Sequence, residues 1–156
     1  MTLKELRISK GLTQLEAARM LNVSLRSYVS YENDNNKRDS LKYRFFFQEM
    51  EKINQIDEDH GVLQISQIEE ITHKVFFEYK ILYCYLFGSY AKGTASEKSD
   101  VDLLISGEIS GIQFYELTEK LRELLHKKVD MLDVNQLVGN LALLNEVLAE
   151  GVKIYG

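Results

Sequence analysis

Residues 86–105, LFGSYAKGTASEKSDVDLLI, place the tightest condition on how this chain can fold. An apolar run enters a Gly-Ser turn, a polar loop follows, and a second aliphatic run carries Asp100 and Asp102 among Val101, Leu103, Leu104 and Ile105. In a strand, residues i and i+2 project to the same side, so the two carboxylates are expected on one face, about 7 Å apart or less. Two such charges on an apolar sheet are strongly disfavoured without a compensating cation. Oxygen-only donors of this kind suit magnesium, which keeps several waters and commonly shares its site with substrate phosphates. Gly88 and Ser89 supply the anion side. Gly88 has no side chain to obstruct close approach, the Ser89 hydroxyl and the following amides can donate at the start of a short helix, and Gly93 can end that turn.

The surrounding sequence alternates helix and strand. QISQIEEITHKVFFEY is amphipathic by the spacing of Ile65, Ile68, Ile71 and Val75, and ILYCYLF and VDLLIS read as short strands. FYELTEKLRELLH predicts a helix, KVDMLDV a third strand, and NLALLNEVLAEG a helix before the final VKIY. This order predicts an α/β domain on a small mixed sheet. The third strand offers Asp130 and Asp133, whose opposite parity means that they should not share a face.

The first third is different in kind. LKELRIS places Leu3, Leu6 and Ile8 near one face, with Gly11 as a C-terminal stop. Thr13 with Glu16 forms a capping box ahead of QLEAARML, and Ser24 caps LRSYVSYEND, in which Tyr28, Val29 and Tyr31 join Val23 in packing inward. Two short helices joined by a brief turn follow the helix-turn-helix plan, with the second helix suited to the DNA major groove. Leu41, Phe45, Phe46 and Ile53 suit a further helix closing this core, with Phe47 left for an interface. The acidic stretch NQIDEDHGV breaks the helical pattern. The predicted division is therefore an all-α domain over 1–60 and an α/β domain over 61–156.

Charge follows the same division. The chain carries a formal charge of -5, but residues 1–52 hold ten Lys or Arg against seven Asp or Glu, and the remainder nine against seventeen. A basic first part suits a polyanion. With 45% hydrophobic residues the chain is globular, and 156 residues suffice for two small domains. It has no apolar run near the roughly 18 residues that span a bilayer. The charged, helix-periodic opening MTLKELRISKG is unlike a signal peptide, so a cytoplasmic protein with no membrane contact is expected. The single Cys84 has no internal disulfide partner and is expected to be buried packing.

SKGLTQLEAARMLNVSLRSYVSYENDNN resembles the phage-repressor (XRE) helix-turn-helix family in its Thr-Gln opening, its small Ala18, its Val-Ser turn and its Tyr31-Glu32 ending. The match covers about the first 55 residues. It implies that Leu25, Arg26 and Ser30 read base edges of operator DNA, and that Gln14 and Asn33 touch phosphates. Arg26 can donate two bonds to one guanine. Asn33-Asp34 stands where that family often has glycine, and a negative Asp34 near the DNA backbone would weaken binding.

The spacing of Gly-Ser, ten residues, then Asp-x-Asp is similar to the DNA polymerase β nucleotidyltransferase superfamily, and FGSYAKG with SDVDLL resembles its minimal nucleotidyltransferases over residues 62–156. The resemblance implies two magnesium ions held by Asp100, Asp102 and Asp130, the last completing one site and helping to deprotonate an acceptor hydroxyl. It implies that Gly88, Ser89, Lys92 and Ser99 bind the nucleotide, with ATP as donor. Lys92 stands where relatives more often have arginine, and lacks that residue's bidentate fork. The family further implies an antitoxin paired with a HEPN-domain toxin, silencing it by transfer of AMP to a tyrosine and repressing its own operon. A homodimer, or a hetero-oligomer with the toxin, would be the working assembly. The alternative is a DNA-binding repressor whose second domain is an inactive nucleotide sensor or partner-binding surface.

Overall fold

A computed structural model describes all residues, Met1–Gly156, and the chain separates into two compact units, Met1–Gln55 and Ile56–Gly156. The first is all helical: α1 (Leu3–Ser9), α2 (Gln14–Met20), α3 (Leu25–Asn33) and α4 (Leu41–Lys52), with a 3-10 turn at Asn35–Lys37. Local chemistry sets the helix starts. Thr2 with Glu5 and Thr13 with Glu16 form reciprocal capping boxes, and Ser24 and Ser40 each accept an amide hydrogen bond in the first turn that follows. Gly11, at φ +69°, takes the left-handed position just beyond α1.

The core of this unit is Leu3, Leu6, Ala17, Ala18, Leu21, Tyr28, Tyr43, Phe46 and Met50. Three expectations about it are corrected. Ile8 is 57% exposed, Leu41 83% and Phe45 52%. On α4 the buried stripe is Tyr43, Phe46, Met50, at intervals of three and four. A run of three phenylalanines satisfies more than one helical phase, and the choice fell to the Tyr43 hydroxyl, which accepts from the Leu3 amide at 2.8 Å. Phe47, assigned to an interface, is half-buried and packs against this core.

The second unit runs α5 (Ile65–Phe76), β1 (Ile81–Phe87), α6 (Gly88–Lys92), β2 (Val101–Gly107), α7 (Gly111–Leu125), β3 (Val129–Asp133), a 3-10 turn (Val134–Leu137), α8 (Leu141–Glu150) and β4 (Val152–Tyr155). The sheet order is β3-β2-β1-β4, with β2 and β3 parallel and the other pairs antiparallel. The mixed sheet and the preceding helical unit agree with the predicted fold class. VKIY, left unassigned by its pattern, forms the fourth strand by pairing with β1.

Each sheet face has its own core. Val101, Leu103, Ile105, Cys84 and Leu86 face α5 and α7, where Ile68, Val75, Phe76, Leu117, Leu121 and Leu125 close the larger cluster. Burial pushes the Cys84 thiol well above its ordinary range, in keeping with a packing role. Phe87, Leu104, Leu137 and Val147 form a smaller cluster on the other side, with Tyr85 and Leu132 packed against it. Asp102 belongs to that second face. No helix is long and apolar enough to cross a membrane.

Candidate active site and DNA-facing helix

The site forms where three strands meet one short helix. Phe87 pairs with Asp102 across β1 and β2, and Asp102 pairs with Asp130 across β2 and β3. Directly paired residues share a face, and neighbouring strands lie about 4.8 Å apart, so Asp130 stands beside Asp102. Asp100 lies just ahead of β2, which starts at Val101, so strand parity does not place it as expected, but its charge still reaches Asp102. Asp133 has the other parity, and its carboxylate accepts from the backbone and side-chain amides of Asn135, which makes it a cap for the 3-10 turn.

Gly88 is the close-packed element of this corner. It sits at φ +68°, and a Cβ built there would lie 2.1 Å from Asp102 Oδ2. Only glycine accommodates both that conformation and that approach. It opens α6, whose preceding residue Phe87 contributes no side-chain cap, and Gly93 closes it in the left-handed conformation at φ +73°. Ser89 lies in the first turn of α6, half-buried.

Electrostatics single out Asp102. Burial, then the charges of Asp130, Asp100 and Glu146, push its carboxyl up to about 6, with Lys92 opposing them. No three Asp, Glu, His or Cys side chains are drawn together at metal-binding distance. The donor chemistry nevertheless fits a hard divalent cation: all oxygen, with one carboxylate whose charge the fold itself disfavours.

Two nucleotide-side residues are bonded within the protein. Lys92 Nζ lies 2.9 Å from Glu146 Oε1 and 3.9 Å from Glu150 Oε2, so its ammonium is tied to α8. Ser99 accepts from the Ser96 amide at 2.8 Å and thereby closes the loop before Asp100 on itself. Glu146 went unread in the sequence because its partner lies 54 positions away and nothing local marks it. A cavity of about 380 Å³ opens on the same sheet face, one row beyond Asp102, lined by Tyr83, Tyr85, Leu104, Leu144, Val147 and Lys153 among others.

On α3, Leu25, Arg26 and Asn33 are exposed, whereas Ser30 is half-buried and its hydroxyl is bonded to Lys37 Nζ. The Gln14 side-chain amide donates to Glu32 Oε1 at 3.0 Å. That bond belongs to a buried network in which Arg7 Nε and Nη2 meet Glu32 at 2.8 and 3.0 Å. Asp34 caps the following 3-10 turn, accepting from the Asn36 amide at 3.0 Å, which accounts for an acid at this position.

The polymerase beta nucleotidyltransferase family model matches residues 66–156, and a helix-turn-helix family model matches residues 3–39. Among curated proteins, the chain is 33% identical over 79 residues to the protein adenylyltransferase MntA of Shewanella oneidensis, covering 49% of this chain and 55% of that protein. It is 42% identical over 59 residues to the MntA of Thermococcus cleftensis, covering 36% of this chain and 60% of that protein. The chain thus spans little more than half the length of these two relatives. A crystal structure described as the toxin-antitoxin with AMP-PNP superposes with a TM-score of 0.50 at 29% identity, covering 56% of this chain and 73% of that one. The family match extends over more than half of the chain, and the chain belongs to the polymerase beta nucleotidyltransferase family, with a helix-turn-helix unit at its N-terminus.

Proposed function

We propose that this protein is the antitoxin of a HEPN toxin pair, transferring AMP from ATP to a hydroxyl of the toxin, with tyrosine as the acceptor, and binding operator DNA to repress its own operon. The observation that carries this reading is the packing of the Asp102 carboxylate against Gly88, with Asp130 in register beside it. Acids beside a glycine turn suited to an anion support this reading. The relatives' names and the toxin-antitoxin complex holding a nucleotide analogue support the choice of donor and partner.

Magnesium, held by Asp100, Asp102 and Asp130, would neutralise the phosphates and polarise the α-phosphorus. The Ser89 hydroxyl and the amides of the α6 turn bind the triphosphate oxygens. Lys92 leaves Glu146 to meet the phosphate charge. Asp130, exposed on the edge strand, accepts the acceptor hydroxyl proton as the new P–O bond forms and the bond to pyrophosphate breaks. In the first unit, Arg26 and Leu25 read bases, and Asn33 holds the backbone.

The test is co-expression with the product of the neighbouring gene, followed by intact mass of that partner. A gain of one or more AMP units that disappears with Asp100→Ala and Asp102→Ala is expected. A stable complex with no mass gain in either sample would overturn the enzyme and favour the repressor with a sensor domain.

Two further outcomes are expected. Gly88→Ala combines a left-handed residue, at about 1–2 kcal/mol, with a methyl group that displaces Asp102. Because a misplacement of about 1 Å can lower a rate by roughly 100-fold, transfer should fall by about that factor, measured by labelled-nucleotide incorporation, with a melting temperature lower by roughly 5–15 °C. Arg26→Ala should weaken operator binding by about 1–3 kcal/mol and relax preference at one base pair, read by fluorescence anisotropy at fixed salt against single-base operator variants.

A further inference from the structure

Lys127 is fully buried, at 0% exposure, and the proposed chemistry makes no use of it. It sits between the C-terminus of α7 and the start of β3, and its ammonium donates to two backbone carbonyls: that of His60, at 3.0 Å, and that of Glu97. A buried ammonium is strongly disfavoured unless its hydrogens are bonded, and charge-assisted bonds to carbonyls are the strong kind. A side chain so placed holds its acceptors firmly.

Those acceptors lie in two segments far apart in sequence. One is 57–61, ahead of α5. The other is 94–99, the loop that runs from α6 to Asp100. A second link joins the same segments, the Gly61 amide donating to Glu97 Oε1 at 3.3 Å. From α7, Arg122 Nε reaches Glu58 Oε1 at 3.0 Å, a solvent-exposed ion pair that adds little to the hold on segment 57–61. The next residue, Lys128, accepts from the Val101 amide at 2.9 Å through its carbonyl, so this corner also sets the start of β2. Glu97 is three residues from Asp100. The sheet ladder begins only at Val101, which leaves Asp100 outside it.

We propose that Lys127 is a positioning residue: its buried ammonium clamps the loop that delivers Asp100 against segment 57–61, and so fixes one of the site's acids where the sheet does not reach. The clamp stands on its own geometry; only its consequence for catalysis rests on the nucleotidyltransferase reading above. Methionine matches lysine in bulk but cannot donate, and it should therefore release both segments together.

The experiment is hydrogen exchange by mass spectrometry on the full chain, comparing wild type, Lys127→Met and Lys128→Met. Lys127→Met is expected to speed exchange about tenfold or more in peptides covering both 57–61 and 94–99, with β1 and β2 unchanged and Lys128→Met indistinguishable from wild type. Unchanged exchange in those segments, a rise in only one of them, or an equal rise across the whole unit would overturn the clamp. Lys127→Gln, which keeps an uncharged donor, should give an intermediate rise and decides the matter if the methionine variant does not fold. In transfer assays Lys127→Met should lower kcat about tenfold or more with KM for ATP close to wild type, because the loop orients an acid for the chemical step. Equal losses in both parameters would overturn the positioning role. If wild type transfers no nucleotide, the proposed activity fails and the exchange result still decides the clamp.

Discussion

Asp102→Asn is expected to abolish nucleotide transfer, by at least about 1000-fold, while making the ligand-free protein more stable at neutral pH. The two effects share one cause. Burial and the neighbouring charges of Asp130, Asp100 and Glu146 raise the Asp102 carboxyl to about 6. A carboxyl raised in the folded state binds its proton more tightly there than in the unfolded chain. Folding is then helped below the ordinary value of about 4 and progressively opposed as pH rises through the folded value. At pH 7 the ionised Asp102 is a net cost, on the order of 1 kcal/mol once solvent screening of this half-buried site is allowed for. Asparagine removes the charge with little change of shape. Its melting temperature should exceed wild type by a few degrees at pH 7.5, with the difference closing by about pH 4. Differential scanning calorimetry across that range checks the sign. A variant less stable than wild type at pH 7.5 would contradict the electrostatic account. Adding magnesium should stabilise wild type and leave Asp102→Asn nearly unaffected.

Arg7→Ala is expected to unfold the helical unit and so abolish the proposed operator binding, although Arg7 lies on α1 and not on α3. Glu32 has a side chain with 0% exposure, and Arg7 meets both of its oxygens while also donating to the Leu12 carbonyl at 2.7 Å. Removal of one partner leaves a buried charge uncompensated, at about 3–5 kcal/mol. A unit that ends at Gln55 has little stability in reserve. Replacing both partners by apolar residues, Arg7→Met with Glu32→Leu, should be milder than either single change, because neither charge is then stranded. The pH dependence runs opposite to that of Asp102. Burial pushes the Glu32 carboxyl up, but the bonds from Arg7 and Gln14 outweigh it and hold the group below its ordinary value. Its contribution is complete above the unfolded value of about 4.3 and is lost as pH falls through the folded one. Acid titration followed by helical circular dichroism, in wild type and Glu32→Gln, tests this: the variant should lose the acid-sensitive part of the transition.

The sequence by itself determined the helix starts, because Thr13 with Glu16, and Ser24, act within one turn of where they stand. It determined the strand bearing Asp102 and the glycine at 88, because strand patterning and a turn residue are local properties, but the strand starts at Val101 and leaves Asp100 just ahead of it. It misread the α4 stripe as Leu41 and Phe45, since Phe45, Phe46 and Phe47 satisfy several phases and the bond from the distant Leu3 amide to Tyr43 goes with another. VKIY could not be read as a strand without its partner β1. Parity separated Asp130 from Asp133 and only the family resemblance chose Asp130; in the fold Asp130 is in register with Asp102, while Asp133 caps a 3-10 turn. Lys92, Gln14 and Lys127 carry no local mark of their partners, because Glu146, Glu32 and the carbonyls of His60 and Glu97 are brought to them by the chain's return. Short-range hydrogen bonding and periodicity are written along the chain. Which charge meets which is settled only when residues far apart in sequence are buried together, where an unpaired charge is too costly to leave.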